Sequence, residues 1–387
     1  MIKVAFVVGE HSGDRIGADL IRGLRSRLGN DLSVTGLAGD AMAAEGLTSL
    51  FNIDELSIIG AGAIVARLPQ LLWRLDQTTR HILREEPDVL VVIDSFSFSH
   101  RIARRVRKAR PGLPIVNYVP PAVWAYRPER AADMTAYIDR AISAFPFEPA
   151  VYRALGGPPS TYVGHPLMGD PKLATIRAAL DAAPVLRQPG TPPKLLILPG
   201  SRRGEVARLG RDFGRTFAVL SERIPGLEGV LPAVSRLRGR IEAEVATWTV
   251  KPTIVHGDDA KWEAFATSDA ALAASGTVSL ELALAGVPMA LAYRLDPLAY
   301  RLRHLISGWT AALPNYIVDH ALVPEHFHEF VRPALLARKL ERLLTDTPER
   351  HAQLQGFADI RRKMAVDRPP GEAAAEIVID AARNRRS

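Results

Sequence analysis

Glu10, His11, Ser12 and Asp14 stand close together in "VVGEHSGDRIGADLIRGL" (7–24), with Gly9 and Gly13 among them. Carboxylates and an imidazole give and take protons, and glycine lets a backbone come near a ligand. The stretch leaves an apolar strand and enters an amphipathic helix, whose first N–H groups favour an anion or a polar group. Asp14 lies where an acid complements the helix dipole. Glu10, beside the strand end, is better placed to face a sugar hydroxyl. Alone, this glycine pattern fits a ligand site or an ordinary turn.

Two loops in the second half carry a sharper pattern. "LLILPGSRRGEVARLGRDF" runs from a strand through Pro199, Gly200, Ser201 and Arg202 into a helix whose Val206, Leu209 and Phe213 recur at helical spacing. Gly200 and Ser201 offer backbone and hydroxyl donors to a phosphate, and Arg202 adds a fork of charged donors. "SDAALAASGTVSLELALAGVPMALAYR" sets Ser275, Gly276 and Thr277 at a second strand end, with Glu281 a turn into the following helix. Small hydroxyl residues there cap a helix and bind diphosphate oxygens, while Glu281 can accept from both ribose hydroxyls. Either loop alone also reads as an N-cap followed by a surface acid. Two in one sheet point to a nucleotide.

The elements that position these loops alternate in type. "KVAFVV" (3–8), "LSVTGL" (32–37), "VLVVI" (89–93), "IVNYV" (115–119) and "AISAF" (141–145) are short apolar runs separated by helical or loop material. A second series comprises "KLLIL" (194–198), "GVLPAV" (229–234), "PTIVH" (252–256), "AALAA" (270–274) and "PMALAY" (288–293). That rhythm predicts parallel strands with crossover helices. Between the series, "DAAPVLRQPGTPPK" (181–194) has linker composition. At 387 residues and 47% hydrophobic, the chain exceeds one ordinary core and suits two α/β domains. Two closing helices follow, in "PERHAQLQGFADIRRKMA" and "GEAAAEIVIDAARN".

Composition narrows the chemistry. Lys and Arg number 49 against 42 Asp and Glu, a formal charge of +7 that favours an anionic partner. Cysteine is absent, which excludes disulfides, thiolate metal sites and a Cys nucleophile. "MIKVAFVVGE" reads as a buried first strand rather than a signal peptide. No stretch approaches the roughly 18 apolar residues of a membrane span.

Taken in order, "GEHSGDRIGADLIRGL", "LPQLLW", "EEPDVLVVIDSFSF", "NYVPPAVWAYRPER", "FPFEPAVY", "VGHPL", "LPGSRRGEV", "SDAALAASGTVSLELALAGVPMALAYR" and "LPN" resemble the landmarks of the lipid-A-disaccharide synthase family. The resemblance covers about residues 1 to 325. It implies a GT-B glycosyltransferase fold: two Rossmann-like doubly wound α/β domains facing across a cleft, with C-terminal helices. The expected divisions are an acceptor- and membrane-facing domain (1–170), a UDP-sugar domain (171–345) and closing helices (346–387). The implied reaction joins UDP-2,3-diacylglucosamine to 2,3-diacylglucosamine 1-phosphate, releasing UDP and forming a β-1,6 linkage with no metal or other cofactor. Glu10 and Asp94 become acceptor-side or catalytic acids. Gly200, Ser201, Arg202, Ser275, Gly276, Thr277 and Glu281 go to UDP, and Asn315 of "LPN" to the donor side. A homodimer built partly by exchange of C-terminal segments is implied too, as is a place in the cytoplasm on the inner face of the inner membrane.

An inverting transfer needs a base for the attacking 6-hydroxyl and positive or dipolar groups at the departing diphosphate. Asp94, at the end of "VLVVI", suits the first role; Arg202 and the helix start at Thr277 suit the second. Family members usually carry Asp-x-Pro-Asp after this strand, whereas here the run is Asp94-Ser95-Phe96-Ser97-Phe98, so Ser97 replaces the second acid. His11 replaces a small residue or Pro, and it fits either a substitute base or a turn residue. Three readings follow: an active synthase in which Asp94 or His11 covers the lost acid, a related transferase with another acceptor, and a non-catalytic UDP-sugar-binding protein.

"IIGAGAIVARLPQLLWRLDQTTRHIL" (58–83) bears on the lipid. Ile64, Val65, Leu68, Leu71, Leu72 and Leu75 recur at helical intervals with Arg67, Arg74 and Arg80 interspersed. That pattern fits peripheral contact with anionic lipid or a core helix, and the resemblance favours the membrane. "GDD" (257–259) reads as a turn rather than a metal site. "HRIARRVRKAR" (100–110) has an apolar face at Ile102 and Val106, so its charges form a solvated face rather than a nucleic-acid surface.

Overall fold

The computed structural model describes residues 1–56, 67–182, 191–296, 300–301 and 308–384, with the side chains of 180–182 excepted. Two parallel six-stranded sheets form the framework. The first contains β1 (Ile2–Val8), β2 (Leu32–Leu37), β3 (Val89–Ile93), β4 (Ile115–Tyr118), β5 (Arg140–Ser143) and β6 (Ser160–Tyr162), in the order β2-β1-β3-β4-β5-β6. The second contains β7 (Lys194–Leu198), β8 (Glu228–Ala233), β9 (Thr253–His256), β10 (Ala270–Ala274), β11 (Met289–Tyr293) and β12 (Glu325–Phe327), in the order β12-β11-β10-β7-β8-β9. Helices used below are α1 (His11–Leu28), α2 (Leu68–Glu85), α3 (Ser99–Ala109), α4 (Arg203–Arg223), α5 (Val278–Leu284), α6 (Leu313–Val318), α7 (Pro348–Met364) and α8 (Pro370–Arg383).

Central strands are apolar throughout because helices cover both faces of a parallel sheet. Every residue of β3 and of β10 is buried. One face of the first sheet packs Val4, Phe6, Val89 and Val91 with Leu20, Ile21 and Leu24 of α1 and Ala374, Ala375 and Val378 of α8. The other face packs Ala5, Val7, Leu90 and Val92 with Leu75 of α2 and Ile102 and Val106 of α3. In the second sheet Leu195, Ile197 and Leu272 meet Val206, Leu209, Phe213 and Phe217 of α4. Each fully buried Leu, Ile or Phe stabilises the fold by about 1.5–3 kcal/mol.

Two compact units result, Met1–Pro166 with Val366–Ser387, and Leu167–Ala365. The segment expected as closing helices is therefore shared: α7 lies in the second unit and α8 in the first. The cause is close packing of α8 on α1. A Cβ at Gly23 would lie 2.3 Å from the Gly371 carbonyl oxygen, and one at Gly371 would lie 2.4 Å from that of Asp19. Among the described residues, no helix is long and apolar enough to cross a membrane.

Candidate active site

In an open parallel sheet, ligands bind beyond the carboxyl ends of the strands where successive connections diverge to opposite sides. The first sheet has such a point between β1 and β3, since β2 lies on the far side of β1. The loops there are 9–14 and 94–99. The second sheet has its point between β7 and β10, flanked by 199–202 and 275–277. All four loops singled out for chemistry thus lie at the two divergence points.

At the first point, β1 and β3 run side by side with Val8 opposite Ile93. Gly9 permits the two loops to touch: a Cβ there would lie 2.3 Å from Ser95 Oγ. Asp94 and Ser95 both hold left-handed backbone, at φ 52° and 48°, a sparsely populated state for non-glycine residues that costs about 1–3 kcal/mol each. The turn is held by its own side chains. Ser95 N–H donates to Asp94 Oδ1 at 2.7 Å, Ser99 Oγ donates to Asp94 O at 2.5 Å, and Ser12 Oγ donates to Asp94 Oδ2 at 3.4 Å. Glu10 is the exposed N-cap of α1, in extended conformation.

His11 is the first residue of α1, and its Nε2 lies 2.8 Å from Asp54 Oδ1. Ser97 is exposed in the turn before α3. Asp14, by contrast, is buried, and its carboxylate accepts from Gly39 N–H at 2.8 Å, Ala41 N–H at 2.8 Å and Met42 N–H at 3.2 Å. It ties α1 to the loop after β2, a structural duty more specific than the dipole complement expected of it.

At the second point, Gly200 has φ 123°, a conformation that favours glycine. Ser201 N–H and Arg202 N–H both donate to Glu205 Oε2, at 2.9 and 3.1 Å. The backbone donors expected for a phosphate therefore exist, and they already hold an anion, the carboxylate that caps α4. The Arg202 side chain is 78% exposed, with its guanidinium 3.6 Å from Glu205. Across the divergence, Ser275 Oγ donates to Ala311 O at 3.0 Å, Gly276 has φ 155°, and Thr277 begins α5 without a side-chain cap.

Glu281 forms an ion pair with Lys261 at 2.6 Å, so one of its oxygens is engaged. Asn315 is fully spent inside the protein at 1% exposure. Its amide nitrogen donates to Thr310 Oγ1 at 3.1 Å and Val323 O at 3.1 Å, and its oxygen accepts from Val323 N–H at 2.8 Å. Here it braces the loop whose Ala311 receives Ser275 rather than presenting its amide to a ligand.

The lipid candidates divide. Ile64 and Val65 lie outside the described residues. Leu75 is 2% exposed and belongs to the core, whereas Leu68 and Leu72, at 43% and 45%, are exposed with Trp73 on the first turns of α2, and Leu71 is half-buried. Of the acids in "GDD", both bond Lys172, with Asp258 at 2.8 Å, and they open a helix at Asp258–Thr267. Ile102 and Val106 are buried, Arg101, Arg104 and Arg105 are exposed as an amphipathic surface helix requires, and Arg107 is half-buried against Asp139.

A model of the family described as lipid-A-disaccharide synthetase matches residues 4–377. The lipid-A-disaccharide synthase of Nitrobacter winogradskyi is 46% identical over 387 residues, covering 100% of this chain and 97% of that relative. The one from Rhodopseudomonas palustris strain CGA009 is also 46% identical, over 98% of this chain and 96% of its own length. The chain belongs to the lipid-A-disaccharide synthase family. Membership makes it a glycosyltransferase. Solved structures show the same fold: Acinetobacter baumannii MurG has a TM-score of 0.60 at 15% identity, covering 98% of this chain and 100% of that one. A Staphylococcus aureus MnaA–UDP complex has a TM-score of 0.61 at 12% identity, over 100% and 99% of the two chains. The fold is GT-B, two Rossmann-like domains of parallel sheet and helix.

Three residues that engage these loops are not among the sequence candidates. Glu205 occupies the N–H groups of the 199–202 loop, Lys261 holds Glu281, and Asp54 holds His11. Glu205 had a signal, its position three after Arg202 where a capping acid belongs. Lys261 and Asp54 had none, because each reaches its partner from a separate element.

Proposed function

We propose that this chain transfers 2,3-diacylglucosamine from its UDP derivative to 2,3-diacylglucosamine 1-phosphate, forming the β-1,6 disaccharide 1-phosphate and UDP. The observation that carries the reading is the pair of N–H groups at Ser201 and Arg202 that converge on an anion at a sheet divergence point. A donor diphosphate would take the place of the Glu205 carboxylate there, with Arg202 adding charge and Ser275 and Thr277 adding hydroxyls from the facing loop. Glu281, kept in place by Lys261, is then the acceptor for ribose hydroxyls.

The first unit receives the acceptor sugar beside Glu10 and Asp94. In the transfer, the acceptor O6 bonds to donor C1 as the bond from C1 to the diphosphate oxygen breaks. The O6 proton passes to a base of the first unit, and the electron pair leaves with UDP, whose developing charge the N–H groups and Arg202 stabilise. Exposed Leu68, Leu72 and Trp73 beside Arg67 support peripheral contact with an anionic membrane. The inner face of the inner membrane and a homodimer belong to the same reading, on the family resemblance.

The test is release of UDP from purified protein supplied with UDP-2,3-diacylglucosamine, with and without the acylated sugar phosphate. Acceptor-dependent release is the expected result, and it falls in Asp94→Ala because that carboxylate holds the 94–99 turn through Ser95 and Ser12. Tight UDP binding with no turnover would overturn it.

A further inference from the structure

Ser97 is a hydroxyl and a poor base, and Asp94 has both carboxylate oxygens engaged by Ser95 and Ser12. A different kind of proton acceptor, an imidazole, stands on the neighbouring loop at the first divergence point. His11 opens α1 directly after β1, and its Nε2 lies 2.8 Å from Asp54 Oδ1. Asp54 is itself fixed: its N–H donates to Asn52 Oδ1 at 2.9 Å at the head of a short 3₁₀ turn, Ile53–Leu56. A carboxylate on one imidazole nitrogen holds the proton there and leaves the other as the acceptor. With Nε2–H directed to Asp54, Nδ1 is the basic nitrogen. Both side chains are more than half exposed, 56% and 62%, so a substrate can reach them.

We propose that His11 is the general base for the acceptor hydroxyl and that Asp54 is its positioning residue. The inference rests on the transferase reading above and names how that site takes the proton: the O6 proton passes to His11 Nδ1 as O6 bonds to donor C1 and UDP departs. The His⁺ so formed lies against the Asp54 carboxylate and later returns its proton to water. The charged groups on the surrounding elements are Glu10, Asp14 and Arg15 beside it, Asp54 and Glu55 after β2, and Asp94 after β3. Asp14 is committed to backbone N–H groups and Glu55 to Arg74, so Asp54 is the carboxylate that touches the ring.

The experiment is the pH dependence of kcat and KM, by UDP release with both sugars, for the full chain and for His11→Gln, Asp54→Asn and Asp54→Glu. A neutral imidazole is required, so wild-type kcat/KM falls on the acid side as the ring protonates. His11→Gln is expected to lower kcat by about 100-fold, leave donor KM within about 3-fold and abolish that acid limb. Asp54→Asn is expected to lower kcat by about 10-fold and move the limb to lower pH, because a stabilising negative charge is gone. Asp54→Glu is expected to return the limb towards its original position. An active wild type whose limb and kcat survive His11→Gln overturns the dyad while leaving the transferase. Lower thermal stability in Asp54→Asn with an unmoved limb makes Asp54 structural and overturns its positioning role. A wild type without acceptor-dependent release overturns both readings, so the two failures are distinct.

Discussion

At the scale of single residues, the loop proposed to bind the diphosphate already holds a carboxylate. The Glu205 carboxylate occupies the N–H groups that a diphosphate would take in the proposed site, while it also caps α4. Glu205→Ala should therefore act in opposite senses on two readouts: stability falls by about 1 kcal/mol for the lost cap, and UDP binds several-fold more tightly. Calorimetric titration with UDP beside urea unfolding separates them; weaker binding would mean that the carboxylate shapes the loop for its ligand.

Buried His100 gives a pH prediction. Burial, aided by Arg104 and Arg130, lowers its pKa from 6.5 to about 3, and its Nδ1 lies 3.0 Å from Tyr137 Oη. The unfolded chain takes up the proton first, so the stability of the neutral ring is complete above about 6.5 and is lost as pH falls from there towards 3. Between pH 6.5 and 5 the loss is about 2 kcal/mol. Urea unfolding across that range should show it, and a His100→Gln variant should show a shallower slope.

At the scale of elements, strand ends position chemistry. β1, β3, β7 and β10 were plain in the sequence because a strand buried on both faces is an unbroken apolar run. The motifs at their ends are legible in the sequence for the same reason. β6 and β12 were not foreseen, since each has three residues at a sheet edge and neither presents a run. α2 was visible as a stripe, but periodicity does not tell a helix's core face from a lipid face. The structure divides it, with Leu75 inward and Leu68 and Leu72 outward. The α1–α8 contact was also hidden, because Gly23 and Gly371 match only when distant segments meet. Gly23→Val should cost about 1–3 kcal/mol, as its side chain would enter the Gly371 carbonyl, whereas Gly239→Ala, in a helix with nothing within 4 Å of a new Cβ, should be neutral or stabilise by up to about 1 kcal/mol. Paired urea titrations check this, and equal losses would contradict the close packing of α8 on α1.

At the scale of the whole molecule, two units of the same architecture each carry a divergence point with two chemically equipped loops. The order of strands explains why loops so far apart in sequence serve the same ends of two sheets. Family membership names the chemistry, and the proposed division of labour follows from what each loop carries: backbone donors and Arg202 at 199–202, acids and an imidazole at 9–14 and 94–99. The sequence resemblance carried Asn315 to the donor side, yet its amide is spent on a buried brace. A residue can lie in a recognised motif and act through the loop it supports.

The decisive measurement is mass and anomeric NMR analysis of what the purified chain makes from UDP-2,3-diacylglucosamine and 2,3-diacylglucosamine 1-phosphate. A single disaccharide 1-phosphate with a β-1,6 linkage, formed in step with UDP, is the predicted result. UDP release with free diacylglucosamine and no disaccharide would contradict it.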